Sequence, residues 1–284
     1  MATQTTRLDL SLLEQSLVES QSMSAYQTSL LAQEILSRGH HLASRSAKRI
    51  DFLLHEFQAR NPGLADGLEA ISALNDYLFE DYGFVVTTED KCTLDDYFIG
   101  KVLETRISSP LVFSIIYCEM AQRLNLVPIN YVNFPTNSLV KILYNHQLLF
   151  VDPAEKGHLL SVSDLQNRLF RRYGQSVILN SSFLETPSES HIAHRLLTKL
   201  KNMYFDLRAW ESLLAVLDVL VWLSPAKMHE LKERGLLLYQ LGHYTDARKD
   251  LNRFVTYARP SAETEKLRQL VTYLENPKIT PLYE

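Results

Sequence analysis

Only two cysteines, Cys92 and Cys118, occur in 284 residues. That is too few for a disulfide scaffold in a chain of this size and fits a reducing compartment, so the cytoplasm is the expected location. Glycine is scarce too: the nine glycines never form the spaced clusters that cradle a nucleotide, and no bound nucleotide or other cofactor is expected. The chain has no apolar run approaching the ~20 residues that cross a bilayer. The stretch Met1 to Gln21 carries Asp9, Glu14 and Glu19 rather than a basic start followed by an apolar segment, so neither export nor membrane spanning is expected. It also has no block of lysine and arginine, and its formal net charge is -4. Without a basic field, nucleic acid is not an expected partner.

What remains is an ordinary globular composition, 46% hydrophobic and 22% charged, enough to bury one large or two modest cores. The first third reads as helices. Leu30, Leu31, Ile35 and Leu36 recur at helical spacing within Ser24 to Ser37, and Ile50, Leu53, Leu54 and Phe57 within Ser46 to Arg60. Asn61-Pro62-Gly63 breaks the chain. A longer amphipathic segment follows from Leu64 to Tyr82, closed by Gly83, and a short helical piece lies around Phe98 to Leu103. Ser109 before Pro110 is a helix start: the serine can cap, and proline suits the first turn, where its missing N–H costs nothing. The helix predicted from Pro110 to about Asn125 is apolar nearly all round, which marks it as central.

The period then shortens. Ile129 to Phe134, Leu139 to Tyr144 and Leu148 to Val151 read as strands, with Asn145-His146 as a tight turn. A helix from Ser161 to Tyr173 has Ser163 and Asp164 as cap candidates and ends at Gly174. One buried helix followed by antiparallel strands is an α+β core. The segment Asn180 to Ser190, rich in Ser, Glu and Pro, reads as a linker. Beyond it the pattern is helical, and Trp210, Leu213 and Pro225 are echoed 34 residues on by Tyr244, Ala247 and Arg259, the period of a TPR helix pair. Gly235, Gly242, Tyr244, Ala247, Leu251, Phe254 and Pro260 sit close to the small, aromatic and turn positions of that unit. The expected organisation is therefore 1–180 helical region plus core, 181–190 linker and 191–284 TPR-like domain.

The run Leu74 to Gly83, Val102-Leu103-Glu104 with Arg106, Pro110, Ala121-Gln122-Arg123-Leu124, Val132-Asn133-Phe134-Pro135 and Phe150-Val151-Asp152-Pro153 resembles the bacterial SirB-type family. That family joins a transglutaminase-like domain to a TPR tail and takes its name from a protein linked to regulation of invasion genes. The resemblance covers most of the chain and implies a papain/transglutaminase-like core. Active members of the wider superfamily use a cysteine at the start of the core helix, a histidine on the next strand and an aspartate on the one after. There a thiolate paired with an imidazole attacks an acyl group while the carboxylate orients the imidazole. Matching the core helix puts Pro110 at the cysteine, Asn137 at the histidine and Asp152 at the aspartate. Proline is usual at the first position in the SirB-type family, whereas Thr136, Asn137 and Ser138 replace its usual Gly-His-Phe, and Ser108 replaces a glycine.

No other residue supplies the missing parts convincingly. Cys118 lies in the apolar helix, where burial makes a thiol inert. Cys92 has acidic neighbours that disfavour a thiolate. Ser108 and Ser109 are explained as helix caps, and Asp152 itself can cap the turn before Pro153. His40-His41 and His191 with His194 read as surface residues rather than metal ligands. His146 and His158 are the only histidines near Asp152 in the chain. The expectation is a non-catalytic module that binds a protein or peptide, with regulation of gene expression or virulence through protein contacts. Ser108, Ser109, Asn133, Thr136, Asn137 and Asp152 are its cleft candidates. The rival classes are an acyl hydrolase or amidase with a non-standard nucleophile, and a structural protein that self-associates through a tail groove filled by Glu263 to Glu284.

Overall fold

A computed structural model describes residues 23–37, 42–64, 67–174 and 177–275. The segment Met1 to Gln21, the His40-His41 pair and residues 276–284 lie outside the described residues. The chain divides at Leu197 into two compact units.

The first unit begins with α1 (Ala25–Leu36), capped by a reciprocal box in which Ser24 and Gln27 each bond the other's backbone N–H. It continues with α2 (Leu42–Arg60) and α3 (Leu68–Asn75). The long amphipathic segment predicted from Leu64 is not one α-helix. After Asn75 the backbone widens into a π-helical turn, Asp76–Asp81, which rotates Tyr77, Leu78 and Phe79 into the core together. A two-residue strand β1 (Val85–Val86) pairs in parallel with β2 (Ile107–Ser108) across α4 (Ile99–Thr105), a pairing too short to show in the sequence pattern.

The central helix α5 (Pro110–Arg123) starts as expected: Ser109 Oγ accepts from Val112 N at 3.3 Å and Pro110 occupies the first turn. Every residue from Leu111 to Ala121 is buried, the polar Ser114 and Glu119 included. It packs on β3 (Ile129–Asn133) and β4 (Ser138–Tyr144). With β5 (Gln147–Asp152) and the unanticipated β6 (His158–Leu160) these form an antiparallel sheet in the order β3-β4-β5-β6. Asn145 and His146 both take positive φ, 47° and 62°, the conformation a two-residue hairpin turn requires. Phe79 and Phe84 pack tilted and edge-on against Phe113 of α5, which in turn meets Tyr117, with centroid separations of 5.1 to 6.3 Å.

The helix α6 (Val162–Tyr173) is capped by Ser161, not by Ser163. Ser161 Oγ accepts from Asp164 N, and Asp164 Oδ2 accepts from Ser161 N. Asp164 thus completes a capping box, which leaves Ser163 exposed on the first turn. α6 covers the sheet through Leu165 and Leu169, packed with Val132, Phe134, Phe150 and Leu160. The expected linker is not a bare tether: a 3₁₀ turn, Ser181–Leu184, seats Phe183 and Leu184 against that cluster. Lys141 Nζ donates to the Leu184 carbonyl at 2.9 Å. Helix α7 (Glu189–Asp206) starts before position 191.

The second unit holds α8 (Trp210–Leu223), α9 (Met228–Gln240), α10 (Tyr244–Tyr257) and α11 (Ala262–Glu275). Trp210 and Tyr244 each open a helix, which is the physical content of the 34-residue echo. A Cβ on Gly235 would stand 2.9 Å from Leu251 Cδ2, so glycine permits the α9–α10 approach. Gly242 turns the chain at φ 82°. Arg234 on α9 reaches Asp250 on α10 through two bonds of 2.6 and 2.9 Å and Asp218 on α8 through one of 2.9 Å. Burial works against the Arg234 charge, but Asp250 and Asp218 outweigh it and hold its pKa above the ordinary value.

Candidate functional site

Two of the three positions matched to a catalytic triad meet. Asn137, in the bend between β3 and β4, donates through Nδ2 to Asp152 Oδ2 at 3.2 Å. Asp152 ends β5 with its side chain fully buried, and its Oδ1 accepts from Ala154 N at 2.8 Å, capping the 3₁₀ turn Pro153–Glu155. The remaining claim on the carboxylate comes from a residue the sequence did not point to. Arg168 on α6 donates from Nη1 to Asp152 Oδ2, and its Nη2 lies 2.8 Å from Glu155 Oε2. A guanidinium therefore holds both acidic groups, where an active site would leave the carboxylate free to orient an imidazole. Nothing in local periodicity signals this contact, because Arg168 sits sixteen residues beyond Asp152 and reaches it only through the packing of α6 on the sheet.

The third position, Pro110, offers no nucleophilic atom, and the hydroxyls around it are engaged. Ser108 Oγ donates to Ser109 O at 3.0 Å, and Ser114 Oγ donates to Pro110 O at 2.8 Å. Ser114 Oγ also lies 3.4 Å from Ser138 O, which places the start of α5 beside the residue that follows Asn137. Among the remaining cleft candidates, Asn133 is exposed at the end of β3, and Thr136 is half-buried. The Thr136 Oγ1 atom has no hydrogen-bond partner among the described residues. A second polar cluster, also missed by the sequence reading, lies on the far side of Ser138: Tyr131 Oη donates to Ser138 Oγ at 2.9 Å, and Arg195 Nη1 donates to Tyr131 Oη at 2.6 Å.

The histidines near Asp152 do not reach it by any contact in this network. His146 and His158 are exposed, and His158 pairs with Asp152 only as a strand neighbour. His194 departs from the surface placement expected of it and is buried in α7, one turn before the buried Leu197. Burial pushes the Cys118 thiol well above its ordinary value. Burial also raises Cys92, more than its acidic neighbours Glu89 and Asp96 do. Among the described residues no group of three or more His, Cys, Asp and Glu side chains is placed to hold a metal.

In the second unit, Ala247 and Leu251 are fully buried and Phe254 is half-buried under the Lys232 ammonium, 5.7 Å from its ring centroid. Tyr244 differs from a core position: it is 56% exposed and leans on Tyr239 with centroids 5.7 Å apart. A cavity of about 410 Å³ opens between α7, α8 and α9. Its apolar wall is Phe205, Trp210, Leu213, Leu217, Leu236 and Leu237, and its rim carries the Lys201–Glu233 ion pair at 2.6 Å.

Comparison with known proteins agrees with this architecture. A family model described as the transglutaminase-like superfamily matches residues 44–198, and a tetratricopeptide-repeat model matches residues 200–272. A UPF0162 protein of Xylella fastidiosa (strain 9a5c) is 27% identical over 212 residues, covering 74% of this chain and 75% of the relative. Protein SirB1 of Salmonella typhimurium is 25% identical over 213 residues, covering 75% and 77%. Among solved structures, menin aligns with 94% of this chain and 74% of its own at 9% identity and a TM-score of 0.37. The chain belongs to the transglutaminase-like superfamily, as a divergent SirB-type member with a TPR-like tail. No helix among the described residues is long and apolar enough to cross a membrane.

Proposed function

We propose that this protein is a non-catalytic adaptor that binds a protein or peptide partner, with the transglutaminase-like core serving as scaffold and the tail as the binding surface. The observation that carries the reading is the state of Asp152. It is the one triad position with the expected identity, and it is buried under Arg168, Asn137 and the Ala154 N–H. With one oxygen accepting from Asn137 and Arg168 and the other from the Ala154 N–H, the carboxylate is committed to structural contacts rather than to orienting a base, and Pro110 has no side-chain proton to give up. The tail supplies the positive half of the proposal. Its cavity exposes Phe205 at 60% and Leu236 at 38%, large apolar groups beside charged rim residues, the composition of a site for an amphipathic peptide. A regulatory role through such contacts, in the cytoplasm, follows as part of the same proposal.

The test is a comparison of the full-length protein with Phe205→Asp and Leu236→Asp variants in affinity capture followed by direct binding to the captured protein. Both positions are exposed, so the variants should melt at the temperature of the parent. One partner that binds the parent with a measurable Kd and loses at least about tenfold in affinity with either variant supports the reading. Labelling of the full-length protein by a serine- or thiol-directed acyl probe, abolished by Asp152→Asn, overturns it in favour of an acyl hydrolase or amidase.

A further inference from the structure

We propose that a separate pocket between α2 and α4 binds a small organic anion through its phosphate or carboxylate group. The pocket encloses about 320 Å³ and is lined by Arg45, Ser46, Arg49, Gly100, Leu103 and Glu104. Arg45 and Arg49 stand one helical turn apart and so project on the same side of α2. Arg45 makes no hydrogen bond or ion pair among the described residues. Arg49 is held in place instead: it donates to Tyr82 Oη, and its guanidinium lies 5.3 Å from the centroids of both Tyr82 and Phe52. One cation is thus free to close on a ligand, and the other is already oriented.

A third arginine adds to the positive field. Arg106 follows α4 with φ 65°, a left-handed conformation that a side chain other than glycine's disfavours. Its guanidinium lies 4.6 Å from the same Tyr82 ring. Two guanidiniums therefore crowd one tyrosine, an arrangement whose mutual repulsion an oxyanion would relieve. The only carboxylate in the lining, Glu104, is offset by Lys101 at 3.5 Å. The forked donors of arginine match the planar or tetrahedral oxygens of carboxylate and phosphate. The floor, Gly100 and Leu103, is buried and apolar, which suits an organic body rather than a bare ion. The volume lies at the small-ligand end of binding sites. With an overall charge of -4, a small anion is favoured over a nucleic acid.

The experiment titrates the full-length protein with sodium phosphate and with sodium citrate at constant ionic strength, following the melting temperature and the heat of binding. A saturable rise in melting temperature is expected with one or both anions. It should weaken at least about tenfold in apparent affinity in Arg45→Ala, which has no partner to lose and should melt like the parent without ligand. Arg49→Lys, which keeps the charge but not the fork, should weaken it as well. A preference for phosphate or for citrate decides which oxyanion the natural ligand carries. An equal rise with sodium chloride, an undiminished rise in Arg45→Ala, or binding of a duplex oligonucleotide with no binding of either small anion overturns the proposal.

Discussion

Arg168 and Asp152 close on one another across the face of the sheet, with Asp152 fully buried and the Arg168 side chain only 15% exposed. Removing one member of such a pair leaves the other as an uncompensated charge. Arg168→Met is expected to destabilise the fold by about 3 kcal/mol in urea unfolding, near the low end for a buried pair because the arginine keeps some solvent. Combining it with Asp152→Asn should cost less than the sum of the two single changes, and a purely additive cycle would show that the pair is not coupled.

Gly157 and Asn75 make a second long-range tie. Asn75 donates to Gly157 O at 2.9 Å and accepts from Tyr117 Oη at 2.8 Å, while a Cβ on Gly157 would stand 2.3 Å from Asn75 Cγ. Gly157 also has φ 75°. Gly157→Ala should therefore combine backbone strain with overpacking and cost about 2–4 kcal/mol. Gly83→Ala, at a similar φ of 77° but with open space around it, should cost only about 1 kcal/mol. Urea midpoints of the two variants measured side by side check the ranking.

Glu119 gives a pH dependence of definite sign. Burial, partly offset by the Ser24 hydroxyl and Arg123 and reinforced by Glu189, raises its pKa above the ordinary 4.5. The folded state therefore holds the proton more tightly than the unfolded chain. The associated stability is present below the unfolded value and is lost as pH rises through the higher folded one. Glu119→Gln, which can still accept from Ser24 Oγ, should be more stable than the parent at pH 7, and the advantage should vanish below about pH 4. Chemical denaturation at the two pH values reads the difference directly.

The two thiols should react at different stages. Cys118 is 7% exposed with its pKa driven up by burial, and Cys92 is half-buried with a smaller rise of the same cause. In an aromatic disulfide assay the native protein should release one equivalent slowly, from Cys92, and the second only on unfolding. Cys92→Ser should abolish the native phase.

The sequence was legible where structure is set by neighbours in the chain. Ser109 with Pro110 begins its helix and Gly174 ends its own where cap chemistry places them, and Asn145-His146 makes its hairpin. The 34-residue echo works because Trp210 and Tyr244 both begin helices, so repetition in one dimension became repetition in space. What escaped was set by packing across the fold. The β1–β2 pair is two residues long, below the length at which a period shows. The π-helical turn after Asn75 preserves the apolar pattern that suggested an α-helix. Ser163 and Asp164 were the candidate caps of α6, yet Ser161 is the cap and Asp164 its partner in a capping box. At the candidate site, the identities of Pro110, Asn137 and Asp152 were readable, but Arg168 was not, because its role exists only once α6 lies on the sheet.

Arg234, clasped between Asp218 and Asp250, has a mechanical consequence for the tail. Helical repeats ordinarily yield one unit at a time, since each touches only its neighbours. A single buried guanidinium shared by α8, α9 and α10 removes that freedom, because none of the three can peel away without stranding a charge. Under a pulling force the three helices should therefore give way together, as one brittle block rather than as a spring that pays out turn by turn.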